Sequence, residues 1–197
     1  MSKKQRLAKQ NAQMLEHFDM IYAPEKKKIV FGGGDPRARI VLIGEAPGEQ
    51  EALQGKPFVG KAGKVLDEFL EKTGIRRDDL YISNVVKLRP TAISKAGRTV
   101  NRAPSREEIA LFRPWLQKEM EIIQPKYIIT LGNVALKAVS DNKSAVIGEL
   151  HGKLYPGGAM GAHLFPLYHP AALIYNRSLR EIYQEDLEAL GELIKRV

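Results

Sequence analysis

Arg39-Ile-Val-Leu-Ile43, running into Gly44-Glu-Ala-Pro-Gly48, decides the fold. A short apolar run, rich in β-branched residues and cut off by glycine and proline, has the length of a buried strand and not of a helix. Three further runs repeat the form: Asp79-Leu-Tyr-Ile-Ser83, Lys126-Tyr-Ile-Ile-Thr-Leu131 and His163-Leu-Phe-Pro-Leu167. Segments of helical periodicity lie between them. They predict helices over Ala62 to Thr73, Ser105 to Ile123 and Val134 to Val139, with Gln5 to Met20 opening the chain and Leu179 to Val197 closing it. Short strands alternating with crossover helices predict an α/β fold of three layers, α/β/α, around a central four-stranded parallel sheet. Ser105-Arg-Glu-Glu108 is a capping box, in which Glu108 returns a hydrogen bond to the backbone of the cap. Gly32-Gly-Gly-Asp-Pro36 reads as a turn into the first strand, and no repeat or low-complexity linker interrupts the chain. Residues 1–197 therefore read as one domain, with 1–30 as an N-terminal helix and lead-in.

The 197 residues carry 31 Lys and Arg against 23 Asp and Glu, a formal net charge of +8. That balance suits an anionic partner such as nucleic acid. The chain has no cysteine, which excludes a disulfide framework, a thiolate zinc site and a cysteine-ligated iron–sulfur cluster. No apolar run approaches the roughly 20 residues of a membrane helix. The basic opening Met1-Ser-Lys-Lys-Gln-Arg6 has no signal-type apolar region behind it, so a cytoplasmic, intracellular protein is expected, associated with the nucleoid if prokaryotic.

Gly55-Lys-Pro-Phe-Val-Gly-Lys-Ala62 is a near miss to a phosphate-binding loop. Ala62 stands where magnesium needs a hydroxyl, and polar Glu49-Gln-Glu-Ala-Leu-Gln54 precedes the loop where a strand is required, so a nucleotide hydrolase is rejected. The better signal is at the strand ends. The four strands run into Gly44-Glu45, Ser83-Asn84, Leu131-Gly-Asn133 and Tyr168-His-Pro170. In an open parallel sheet those ends form the ligand crevice, so Glu45, Asn84 and His169 converge although distant in sequence. Taken singly, Phe58 reads as core, His169 as a structural hydrogen-bonder, Asn84 as a strand end and Glu45 as a solvated carboxylate. Their joint occurrence at successive strand ends favours a site.

The strings Gly44-Glu-Ala-Pro-Gly-Glu-Gln-Glu51, Gly55-Lys-Pro-Phe-Val-Gly-Lys-Ala-Gly63, Ser83-Asn-Val-Val-Lys87 and His169-Pro-Ala-Ala-Leu173, in this order, resemble the uracil-DNA glycosylase superfamily, nearest to its family 4. The resemblance extends from about Val30 to the C-terminal helix. It implies a DNA glycosylase that hydrolyses the N-glycosidic bond of uracil in DNA, leaving an abasic site for base excision repair; for this chain a monomer without cofactor or metal, acting on single- or double-stranded DNA, is expected. Phe58 would stack on the flipped uracil, beside Ala46. Asn84 would read the base, accepting from N3–H and donating to O4, where cytosine presents the reverse pattern. His169 would donate to O2 as charge develops there, and Glu45 would position water or balance the sugar cation. Ala46 stands where another branch has a water-activating Asp, so a dissociative reaction is expected. Leu173 matches the intercalating position. Lys87, Arg89, Lys95, Arg98, Arg102 and Arg106 form a basic stretch without an acidic residue, expected to contact phosphates.

Three departures qualify the resemblance. Family 4 members usually hold an iron–sulfur cluster on four cysteines, and the matching positions are Leu88, Phe112, His17 and Met20, so packing is expected to replace the cluster, with the N-terminal helix docking through Leu15, Phe18 and Ile21. The inserted basic loop, residues 91–104, matches a branch that captures uracil-DNA covalently through a loop histidine, but that position is Asn101. An amide is no nucleophile for an anomeric carbon, so Asn101 is read as a DNA contact or a water-positioning group. Gly48 replaces the bulky ring that bars thymine. Alternatives are therefore a uracil-DNA binding or covalent-capture protein with little turnover, or a glycosylase for deaminated purines such as hypoxanthine.

Overall fold

The structure, a computed structural model, describes residues 1–22, 27–140 and 142–195. Its elements follow in chain order. The first are α1 (Lys3–Tyr22), β1 (Gly33–Gly34), β2 (Ile40–Gly44), α2 (Glu49–Gln54), α3 (Lys61–Thr73) and β3 (Leu80–Asn84). A hairpin follows, β4 (Thr91–Ile93) and β5 (Thr99–Asn101), then α4 (Arg106–Ile123), β6 (Tyr127–Leu131), α5 (Asn133–Ser140) and α6 (Ile147–Leu150). The chain ends with β7 (Tyr155–Ala159), β8 (Ala162–Leu167), α7 (Ala172–Tyr175) and α8 (Leu179–Lys195). The expected last helix reached Val197, and its last two residues lie outside the described ones.

The strands form one sheet in the order β1-β3-β2-β6-β8-β7. Its centre is the expected parallel set: β2 pairs in parallel with β3 and β6, and β6 with β8. Two antiparallel edge strands, β1 on β3 and β7 on β8, widen it beyond the four expected. Both edges are built from residues that signal turns. Gly33 and Gly34 pair although they read as part of a turn, and Gly34 adopts φ +121 against the Leu80 carbonyl, a conformation open to glycine. Tyr155-Pro-Gly-Gly-Ala159 is tolerated because an edge strand can spare a donor at proline.

Alternation along the strands divides the core in two. Val41, Ile43, Tyr81, Ile128 and Leu164 face one side, where α1, α4 and α5 pack with Phe18, Phe112, Leu116 and Leu136. Ile40, Leu42, Leu80, Ile82, Ile129, Phe165 and Leu167 face the other, under Val65, Leu66 and Leu70 of α3 and Tyr183, Leu187 and Leu190 of α8. This is the three-layer arrangement. The capping box forms as expected, Glu108 N donating to Ser105 Oγ (3.2 Å) and Ser105 N to Glu108 Oε2 (2.7 Å).

α1 docks on α4 through Phe18, as expected, but not through Leu15 and Ile21. Leu7, Gln10, Met14 and Phe18 are buried, whereas Leu15 and Ile21 are exposed. Residues 7, 14 and 18 repeat on one helical stripe; Leu15 falls off it, and Ile21 shares its direction but lies in the last turn of the helix. The Phe18 ring stacks on Phe112 at 4.2 Å and 10°. Leu88 and Phe112 are buried in the same core, His17 packs against Phe18 and Trp115, and Met20 is exposed. An iron–sulfur cluster does not fit these positions: none offers a thiolate and the space between two of the helices is filled by stacked rings. Among the described residues no helix is long and apolar enough to cross a membrane.

Candidate active site

Parallel pairing brings Gly44 and Asn84 level at the ends of β2 and β3. A Cβ on residue 44 would stand 2.5 Å from both Asn84 Oδ1 and Phe58 Cζ, so the glycine lets the ring and the amide meet. His169 follows β8 and comes beside the Phe58 ring, 5.9 Å between centroids at 34°. Gly132, at φ +87, leaves room for it, since a Cβ there would touch the His169 Cβ at 3.0 Å. A cavity of about 550 Å³ opens between these side chains, lined also by Ala46, Gly48, Glu51 and Asn101.

Phe58 is buried, and its φ of +52 is unusual for a bulky residue. Neighbours hold the strained turn in place. Arg77 Nη2 donates to the carbonyls of Pro57 (3.0 Å) and Phe58 (2.9 Å), while its Nη1 pairs with Asp67. Gly63, in the first turns of α3, admits the Phe58 carbonyl where any Cβ would collide with it.

Asn84 is 3% exposed, and its Oδ1 has no hydrogen-bond partner. An unpaired buried acceptor is unfavourable unless a ligand completes it. Behind it, Lys87 donates to the Asn84 carbonyl (2.9 Å), to Ser83 Oγ and to Glu119 Oε2 (2.7 Å). Tyr81 donates to the other Glu119 oxygen (2.8 Å). Glu119 and burial push the Tyr81 hydroxyl up, burial more strongly, so it remains a donor. Lys87 was expected at the DNA surface. It is instead sealed at 1% exposure in this ion pair and cannot reach a phosphate.

Burial depresses His169 to about 4, with the Glu51 charge opposing in part. The ring is therefore neutral near pH 7. Its Nδ1 accepts from Ala171 N (3.1 Å), which leaves the proton on Nε2 as a donor. Glu45 is half-buried at the end of β2, and desolvation raises its carboxyl, but it does not line the cavity. Leu173 does not fit the intercalating role, being 1% exposed in the core under α8. The next two residues, Ile174 and Tyr175, are 43% and 89% exposed and line the cavity rim.

The basic stretch folds as the β4–β5 hairpin. Lys95 and Arg98 flank its Gly97 turn and are exposed. Arg102 braces its base, bonding Glu108 through both nitrogens (2.7 and 2.8 Å) and the Thr91 carbonyl (3.0 Å). Arg89 donates to Asn101 Oδ1 (2.7 Å) and meets Glu49 (3.3 Å), which turns Asn101 over the cavity mouth. Sequence reasoning gave no role to Glu51, Arg77 or Gly63. The faint signal for Glu51 was its place three residues after Gly48, on the inward face of a one-and-a-half-turn helix.

A family model described as Uracil DNA glycosylase superfamily matches residues 31–191. The chain is similar to the type-4 uracil-DNA glycosylase of Archaeoglobus fulgidus, 40% identical over 173 residues covering 85% of this chain and 83% of that one. It resembles that of Thermotoga maritima at 41% over 174 residues, 87% and 85% of the two chains. The type-4 enzyme of Saccharolobus solfataricus is 39% identical over 175 residues, 86% and 77%.

Proposed function

The chain belongs to the uracil-DNA glycosylase superfamily, and from that membership we propose that it hydrolyses the N-glycosidic bond of deoxyuridine in DNA, releasing uracil and leaving an abasic site. The observation that carries the reading is the buried, unpartnered Asn84 Oδ1 at the floor of a cavity walled by Phe58 and His169. Uracil offers N3–H to that oxygen and O4 to the amide nitrogen. Cytosine offers an acceptor and a donor in the reverse order, which leaves buried groups unpaired.

The nucleotide leaves the duplex at a cost of a few kcal/mol, and Phe58 receives the base on its ring. Ala46 lies along the same wall. As the C1′–N1 bond breaks, charge gathers on uracil O2, where the Nε2–H of neutral His169 donates. Ile174 and Tyr175, the exposed residues of the rim, fill the gap in the stack, and Lys95 and Arg98 meet the flanking phosphates. Arg89 and Arg102 act on DNA through the hairpin they brace, and Asn101 contacts the nucleotide at the mouth. Glu45 acts by its charge from beside the site. The protein acts as a monomer within the cell, on single- or double-stranded DNA, and is monofunctional.

The test is a single-turnover assay on labelled DNA with one uracil, resolved with and without alkali. Cleavage only after alkali is expected. A slowed band that survives denaturation, indicating covalent capture, or no change at uracil in folded, DNA-binding protein, would overturn the reading.

A further inference from the structure

Two carboxylates line the cavity without a role in the scheme above, Glu49, which pairs with Arg89, and Glu51. Glu51, on the inner face of α2, is 8% exposed. Its Oε1 accepts from Val59 N (3.0 Å) and Gly60 N (2.7 Å), which fix the group at the entry to α3. Its Oε2 accepts no hydrogen bond among the described residues. A Cβ on residue 48 would stand 2.7 Å from this Oε2 and 3.6 Å from Asn101 Nδ2, whose orientation is set by the Arg89 bond to Oδ1. The space over Gly48 thus has an anionic acceptor on one wall and an amide donor on the other. It is open because residue 48 carries no side chain. Glu45, the acid expected to serve the sugar, is outside the cavity lining.

We propose that Glu51 holds the attacking water over Gly48 and takes its proton, an inference that rests on uracil excision as the reaction. A water in that space donates one hydrogen to Oε2 and accepts from Asn101 Nδ2, which leaves a lone pair for the sugar. The C1′–N1 bond breaks and its electron pair departs on uracil, whose O2 is held by His169. The water oxygen forms the new bond to C1′. Its proton passes to Glu51 Oε2 and then to solvent, from which the uracil anion is protonated. The sum is uracil, an abasic sugar and one water consumed. The fixed negative charge also faces the sugar as it becomes cationic, so one group serves both stages.

Glu51→Gln tests this cleanly, because its carbonyl can still receive both backbone N–H groups while the atom facing the cavity becomes a donor. The expected result is a single-turnover rate lowered about 10²-fold or more, with uracil-DNA affinity within about threefold of wild type and an unchanged unfolding midpoint. Gly48→Ala, which fills the water's place, should show the same split between rate and affinity. Added formate should restore at least about tenfold of the rate lost in Glu51→Ala by returning a small carboxylate. A wild-type rate in Glu51→Gln would overturn the assignment and leave the glycosylase reading standing. Wild-type protein that releases no uracil would overturn both.

Discussion

A buried acceptor left without any partner destabilises a fold by about 1–3 kcal/mol, and Asn84 Oδ1 has no partner within the protein. Selectivity is what it gains. Asn84→Asp places a second acceptor where O4 must be received, so uracil excision should fall about 10²-fold and discrimination against cytosine should narrow, measured by single-turnover rates on paired substrates. Unchanged selectivity would remove Asn84 as the reader. His169 makes a pH prediction. Its folded value near 4 lies below the 6.5 of the free side chain, so between those values the unfolded chain binds the extra proton. Stability should therefore rise with pH across pH 4 to 6.5, by up to about 1.4 kcal/mol per pH unit, and be complete above it. His169→Gln should flatten that limb in denaturant titrations; an equally steep limb would locate the proton elsewhere. At this scale legibility was uneven. Taken singly Phe58, Asn84 and His169 read as structural, and their roles were legible only because the strings that carry the family resemblance contain them in order. Lys87 and Leu173 could not be placed, because neither a positive charge nor a motif position discloses that a side chain points inward.

Two elements carry what lies outside the pocket. The β4–β5 hairpin is too small to hold itself together in water, and Arg89 and Arg102 tie both its ends to the body. The cations left free for DNA are at its tip. Lys95→Ala with Arg98→Ala should reduce the slope of log affinity against log salt by about 2, with little change in the rate at saturation. A slope equal to wild type would take the hairpin off the DNA. The second element is α1, which Leu7, Gln10, Met14 and Phe18 anchor in the core, with the Phe18 ring stacked on Phe112 of α4. Phe18→Ala should lower unfolding stability by about 3 kcal/mol, read from urea melts, while uracil excision by the folded fraction persists. The helix itself was legible from its sequence. Its buried stripe was legible only in part, because Leu7, Met14, Leu15, Phe18 and Ile21 share one broad apolar face and the partner surface decides which of them it covers.

Across the whole molecule, the parallel centre of the sheet was legible because β-branched runs buried on both faces have few other uses. The antiparallel edges were not, since Gly33-Gly34 and Tyr155-Pro-Gly-Gly-Ala159 carry turn chemistry and pair only because a neighbouring strand is already in place. The reader ends β3 and the donor follows β8, with β2 and β6 between them, so their spacing is a property of strand separation, whereas the platform is held by the turn between α2 and α3. The stacked pair Phe18 and Phe112 sets a different boundary on the protein's life. With no cysteine, the chain has no thiolate on which an iron–sulfur cluster could be built, and carbon packed against carbon holds α1 in place, a join that neither iron supply nor thiol oxidation can alter.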